Sequence, residues 1–169
     1  DGDFPSQAVS WADYDLDGWV DVHVVGDQSA EGALYHNLGG AGFENVTRAA
    51  GVADPREGYG GSWSDPDDDG DPDLFIANCD DLVGDQRIDV YFENRGGTFV
   101  ERGAEVGLRS TEDSWGAAWA DHDSDGDMDL FVVSSSGPNH FYQNNGGVFT
   151  DLRNRSGIPD GSNRDAAWG

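Results

Sequence analysis

The pattern Asp-x-Asp-x-Asp-Gly-x-x-Asp occurs three times in this chain, at residues 13–21, 65–73 and 121–129. Each copy follows a tryptophan (Trp11, Trp63, Trp119) and leads into an apolar run at 20–25, 74–77 or 130–133. Such a loop opposes its own closure, because two carboxylates about 4 Å apart repel by roughly 4 kcal/mol at an effective dielectric of about 20. A cation among them removes the penalty, and the spacing suits calcium, which takes about six to eight oxygen ligands at about 2.3–2.6 Å. Carboxylates at loop positions 1, 3 and 5 converge when the backbone wraps around an ion, and glycine at position 6 reaches the positive φ that the turn needs. Position 7 offers its carbonyl, and the aspartate at position 9 closes the shell. The candidate ligands are therefore Asp13, Asp15, Asp17, Trp19 and Asp21; Asp65, Asp67, Asp69, Asp71 and Asp73; and Asp121, Asp123, Asp125, Asp127 and Asp129. Trp19, Asp71 and Asp127 would act through backbone only. This gives three Ca²⁺ sites, one per repeat. A solvated Asp-rich turn that binds nothing would account for one copy better than for three in the same frame.

An EF-hand begins alike but needs a bidentate Glu at position 12 and flanking helices. Position 12 here is Val24, Ile76 or Val132. The runs that follow the loops are rich in β-branched residues and Phe, and so are predicted to be strands. The ion would sit in a strand-to-strand connection.

The second half of each unit also recurs. Residues 34–43, 90–99 and 140–149 each read as strand, Asn-x-Gly-Gly turn, strand, with one extra residue before Phe43 in the first. Glycine supplies the backbone conformation that such hairpins require. Residues 47–52, 101–108 and 152–158 then read as a single helical turn ending at Gly, with the following Val52, Leu108 or Ile158 turned inward. Trp11, Trp63, Trp119 and Trp168 recur at about 50 residues, a period of propeller blades or similar arrays. In unit three the four strands are expected near 115–120, 128–134, 139–144 and 148–151. The second strand is continuously apolar in units two and three, so both its faces are covered; a strand with one wet face would alternate. Asp21 and His23 interrupt this run in unit one.

The expected fold is all-β: a β-propeller of four-stranded blades, read over 1–169 as a single region. The blade repeats fall at about 6–57, 58–113 and 114–163. Residues 164–169 repeat the beginning of unit three and read as the first strand of a fourth blade. Propellers close with about four to eight blades, and open sheet edges invite pairing. The chain is thus expected to be part of a larger propeller, or to complete its ring with other copies of itself. Residues 1–5 resemble a hairpin tip but have no place in the repeat.

Composition bounds the partners. With 34 acidic and 9 basic residues the formal charge is −25, and every basic residue is Arg. Phosphate binding needs a basic stripe, so nucleic acid is excluded as an expected partner, and an anionic membrane surface is disfavoured too. No apolar run nears the ~20 residues of a membrane span. Cys79 is the single cysteine, so no internal disulfide forms, and a partly buried, inert thiol is expected. No leader segment is visible at Asp1, which points to a processed or excised chain.

The blocks at 65–77 and 121–133, with the Asn-x-Gly-Gly hairpins that close on Phe, resemble FG-GAP/VCBS repeats, the units of the integrin alpha propeller and of many bacterial surface proteins. The Leu-Tyr-x-Asn-x-Gly-Gly form looks most like the cartilage acidic protein and ASPIC/UnbV-associated branch. The resemblance covers nearly the whole chain from Ser6. It implies often seven blades, calcium on one rim, and adhesion or recognition. The fifteen residues named above fall on the family's ligand positions. The Phe-Gly…Gly-Ala-Pro signature of integrin repeats is absent.

The leading expectation is a calcium-stabilised module for extracellular recognition or adhesion, binding protein or glycan, in an extracellular, cell-surface or periplasmic setting where free calcium fills such loops. One alternative is a lectin-like propeller, which would need exposed aromatics such as Tyr14, Trp19, Tyr59 and Trp115; blade-to-blade packing is their plainer role. Another is a non-catalytic scaffold domain of a larger secreted enzyme. Catalysis by this chain is not expected. The Asp clusters recur, whereas an active site is singular, and no G-x-S-x-G or H-E-x-x-H occurs. Of the histidines, His122 sits at a non-ligand loop position and is expected to face solvent.

Overall fold

A computed structural model describes residues 8–26, 31–79, 88–135 and 137–153. The first sheet holds β1 (Val9–Ala12), β2 (Asp21–Val24), β3 (Ala33–Asn37) and β4 (Phe43–Asn45), followed by helix α1 (Thr47–Ala50). The second holds β5 (Gly58–Ser64), β6 (Asp73–Asn78), β7 (Val90–Asn94) and β8 (Phe99–Glu101), followed by α2 (Gly103–Val106). The third holds β9 (Ser114–Ala120), β10 (Asp129–Ser134), β11 (His140–Asn144) and β12 (Phe149–Asp151). Within each sheet the strands pair antiparallel in chain order. The register repeats as well: Trp11 faces Val22, Trp63 faces Leu74 and Trp119 faces Leu130. The described part is thus three four-stranded blades of a partial β-propeller, with β5 lying between β1 and β9. The expected opening strand of a fourth blade, the third helical turn with Ile158, and residues 1–5 lie outside the described residues.

Strand β6 shows why its sequence is apolar without interruption. Leu74 and Ile76 point into one core with Tyr14, Val25, Leu34, Val52, Val90, Phe92 and Phe99, between blades one and two. Phe75 and Ala77 point the other way, into a second core with Tyr91, Leu108, Leu130, Val132, Tyr142 and Phe149, between blades two and three. Blade one has no neighbour on its outer side among the described residues, and there the pattern relaxes. In β2, Asp21 and His23 are buried while Val22 and Val24 are only half covered. Trp11 is 58 % and Phe43 51 % exposed, whereas Phe99 and Phe149, the counterparts of Phe43, are buried.

Trp63 and Trp119 each lie edge-on to the residue two places into the second strand of the preceding blade, His23 for Trp63 and Phe75 for Trp119. The helical turns end as the sequence predicts. Gly51 and Gly107 take left-handed φ of 88° and 92°, and Val52 and Leu108 beyond them are fully buried. Cys79 is partly buried, its Sγ 3.7 Å from Ser135 Oγ.

Candidate metal centres

Each acidic loop joins the first strand of a blade to the second, β1 to β2, β5 to β6 and β9 to β10. The three loops share one backbone course. Position 4 is left-handed in all of them (Leu16, Asp68 and Ser124, φ near 60°), and so is the glycine at position 6 (Gly18, Gly70 and Gly126, φ 93–100°). A Cβ on those glycines would touch nothing within 4 Å, so it is backbone angle rather than space that requires glycine. The position 6 N–H donates to the position 1 carboxylate, at 2.9 Å in the first two loops and 3.1 Å in the third. The position 7 N–H donates to the position 5 carboxylate at 2.8–3.0 Å.

This winding brings the predicted carboxylates together. One oxygen from each of Asp13, Asp15 and Asp17 lies within 4.8 Å of the others, and the same holds for Asp65, Asp67 and Asp69 and for Asp121, Asp123 and Asp125. Among the described residues, the arginine ion pairs form elsewhere: Arg48 with Glu31, Arg56 with Asp54, Arg95 with Glu93, Arg102 with Glu93 and Glu105, and Arg153 with Asp151 and Glu112. In the first loop Asp17 N–H turns to Asp15 rather than Asp13, and Asp13 Oδ1 is left shielded from solvent with no hydrogen-bond partner. Burial, then the charges of Asp69, Glu93 and Asp65, push the Asp67 carboxyl above its ordinary range. An all-oxygen set at this spacing, with an orphaned oxygen and crowded negative charge, fits a hard divalent cation.

The position 9 aspartates open β2, β6 and β10 and are buried. One oxygen of each accepts the N–H of the hairpin asparagine: Asp21 from Asn37, Asp73 from Asn94 and Asp129 from Asn144, at 2.7–2.8 Å. Asp21 comes within reach of Asp15, and Asp129 of Asp123, while Asp73 joins no such group among the described residues. Burial pushes the Asp73 carboxyl up to about 7, against the Tyr91 hydroxyl and Asn94 N–H that donate to it.

The side chains at position 7 have work that the sequence did not announce. Asp71 accepts Gly96 N–H and Asp127 accepts Gly146 N–H, both at 2.7 Å, so each tethers the hairpin tip of its own blade. In blade one the Trp19 indole lies against Gly39 instead. A second unannounced contact joins neighbouring blades. Asn94 Nδ2 donates to Tyr14 O at 2.7 Å, and Asn144 Nδ2 donates to Pro66 O at 2.7 Å. Each of these asparagines thus grips the acidic loop of the blade before it. The recurrence of the asparagine was the available signal, but its partner lies about 80 residues away and no local pattern encodes that.

His122 adds a contact to the sequence reading. The residue is exposed, as the sequence predicts, but its ring is also held: Nδ1 sits 2.6 Å from Asp129 Oδ2 and the ring stands edge-on to Phe141. The aromatic candidates also divide. Tyr14 is buried in the first core, Tyr59 and Trp115 pack on each other at 5.3 Å, and Trp19 remains 52 % exposed.

A separate polar knot lies at the connection into blade three. His140 is buried, with Asp151 Oδ2 2.9 Å from Nδ1, and with Ser110 Oγ 3.2 Å from Nε2. The carboxylate of Glu112 approaches the same Nε2 more closely than the hydroxyl does, and Arg153 binds both acids. Ser110 Oγ accepts Glu112 N–H and is itself buried. The group fastens β11 and β12 to the incoming chain, with the serine closed off as a nucleophile.

The model of the FG-GAP-like repeat family matches residues 13–76 and, in a second overlapping match, residues 65–132. A comparison with curated proteins returned no match. Each family match spans one acidic loop, the hairpin after it and the acidic loop of the next blade, and together the two matches cover more than half of the chain, which therefore belongs to the FG-GAP-like repeat family.

Proposed function

We propose that this propeller module binds three structural calcium ions and serves recognition or adhesion, with a protein or glycan as its partner. The observation that carries this reading is the threefold convergence of aspartates 1, 3 and 5 within 4.8 Å. Calcium at each loop would be held by the position 1, 3 and 5 carboxylates, the position 7 carbonyl and the position 9 carboxylate. It would neutralise the loop and fix the connection between the first two strands of a blade. A site with Kd about 10 μM in about 1 mM free calcium adds roughly 2.7 kcal/mol to the folded state. That supply of calcium is extracellular or periplasmic, and the module is assigned there. Among the described residues no helix is long and apolar enough to cross a membrane. We assign the chain no catalysis of its own, since the recurrent carboxylates are committed to the loops. Trp19, exposed beside the first loop, supports a glycan as one form of the ligand.

Thermal melting with calcium and with a chelator tests the reading. Chelation should lower the melting temperature by many degrees, and titration calorimetry should show calcium uptake by the chelated protein. A melting temperature indifferent to calcium would remove the structural role. A glycan array run with calcium then separates sugar ligands from protein ligands.

A further inference from the structure

The first loop differs from the other two in one respect that the repeat does not explain. His36, on β3, lays its imidazole across the loop. Its Nδ1 lies 3.3 Å from Asp15 Oδ2 and 3.3 Å from Asp21 Oδ1, and its Nε2 lies 3.8 Å from Asp17 Oδ2. Despite those neighbours, Nδ1 makes no hydrogen bond and is shielded from solvent. The three donors Asp15, Asp21 and His36 lie within 4.8 Å of one another. The matching hairpin position is Glu93 in blade two and Gln143 in blade three. The Gln143 amide donates to Asp123 at 2.8 Å. In blade three His122, Asp123 and Asp129 also come within 4.8 Å of one another, but His122 comes from inside the loop and its Nδ1 is already engaged with Asp129 at 2.6 Å.

We propose that the first loop takes a borderline divalent cation of the zinc class, held by His36 Nδ1, Asp15 and Asp21, in competition with calcium. Zinc binds imidazole nitrogen and carboxylate oxygen at about 2.0–2.2 Å, and two ligands of a regular tetrahedron at that radius stand about 3.3–3.6 Å apart. The separations of His36 Nδ1 from Asp15 and from Asp21 fall in that range. They do not carry hydrogen bonds, so Nδ1 is placed to give its lone pair to a metal that displaces the proton. Imidazole suits zinc, copper and nickel, whereas calcium prefers oxygen alone. An imidazole nitrogen that is shielded and makes no hydrogen bond, rather than the carboxylates that all three loops share, is what singles out this site. Water completes the fourth position. Because Asp15 and Asp21 belong to both sets, one ion excludes the other. The inference uses the same loop as the calcium reading but does not depend on it.

The test uses tag-free protein freed of metal by chelation and titrated separately with Zn²⁺, Co²⁺ and Ca²⁺. Wild type should bind one Zn²⁺ more tightly than the rest, and Co²⁺ at that site should show the visible bands of a four-coordinate nitrogen–oxygen complex. His36→Gln, which installs the blade-three residue, should weaken that zinc site at least about tenfold, since even losing a partner of a ligand costs about 10–100-fold. Its calcium-dependent melting shift should stay close to that of wild type. His122→Gln should leave the zinc site unchanged. Zinc binding that survives His36→Gln, that is lost in His122→Gln instead, or that is absent from wild type overturns the proposal. Should His36→Gln not fold, the histidine NMR signals of wild type decide: zinc must shift those of His36 first. A calcium melting shift without a zinc site defeats this inference alone, and a zinc site without a calcium shift defeats the calcium reading alone.

Discussion

His23 stands in β2 where β6 has Phe75 and β10 has Phe131, and it shows what one residue can add to a repeat. The ring is fully buried, edge-on to Trp63, and neither nitrogen has a hydrogen-bond partner. Burial alone pulls its pKa down to about 4 from 6.5. In the unfolded chain the ring takes up its proton near pH 6.5, and in the folded chain only near pH 4. Stability is therefore full above about 6.5, falls as pH drops from there, and levels off below about 4, a loss of about 3 kcal/mol. His23→Phe should flatten the part of the acid unfolding profile that lies between pH 6.5 and 4, read from urea midpoints. An unchanged profile would place the acid sensitivity elsewhere. The loop aspartates invite a second comparison. Asp125 is one of the three converging carboxylates, whereas the Asp127 side chain holds Gly146 N–H. Asp125→Ala should cost stability chiefly when calcium is present. Asp127→Ala should cost about 1 kcal/mol with or without it. Equal calcium dependence in the two variants would undo the assignment of ligand positions.

At the scale of the element, the helical turns α1 and α2 are too short to hold alone and owe their place to the neighbouring blade. A Cβ on Gly107 would stand 2.5 Å from Phe149 O in blade three, and one on Gly51 would stand 2.9 Å from Phe99 O in blade two. Gly107→Ala meets both that carbonyl and an unfavourable φ of 92°. The φ alone costs about 1–2 kcal/mol, so the denaturation midpoint should fall by more than that, without a change in calcium affinity. A neutral result would mean that the blades stand further apart than this contact requires. The turn itself was legible in the sequence: a short run ending at Gly before a buried Val52 or Leu108 states where the chain must reverse. The strands were legible for a similar reason, since β6 is apolar on both faces and a core lies on each. What could not be read were bonds between distant elements. The holds of Asn94 on Tyr14 O and of Asn144 on Pro66 O depend on how neighbouring blades are oriented, and composition at either end leaves that open. The loop carboxylates could be placed by spacing because the winding that brings positions 1, 3 and 5 together is contained in the loop's own nine residues.

Over the whole molecule, a formal charge of −25 opposes compaction, yet the greater strain is local. The screening length at physiological ionic strength is about 8 Å, whereas the clustered loop oxygens lie within 4.8 Å of one another. Monovalent salt therefore relieves repulsion between one loop and the next, but leaves most of the repulsion inside a loop. The chelation experiment gains a decisive arm from this. Chelated protein brought to about 0.15 M potassium chloride, with its ~8 Å screening length, should recover only a small part of its lost melting temperature. Millimolar calcium at low salt should restore it. The recovery should also reach beyond the loops, because Asn94 and Asn144 tie the first and second loops to the hairpins of blades two and three. Calcium should slow amide hydrogen exchange at Gly97 and Gly147 along with the loop amides themselves. If salt alone restored the melting temperature, general charge repulsion would be the cause, and the loops would need no ion to hold the blades in register.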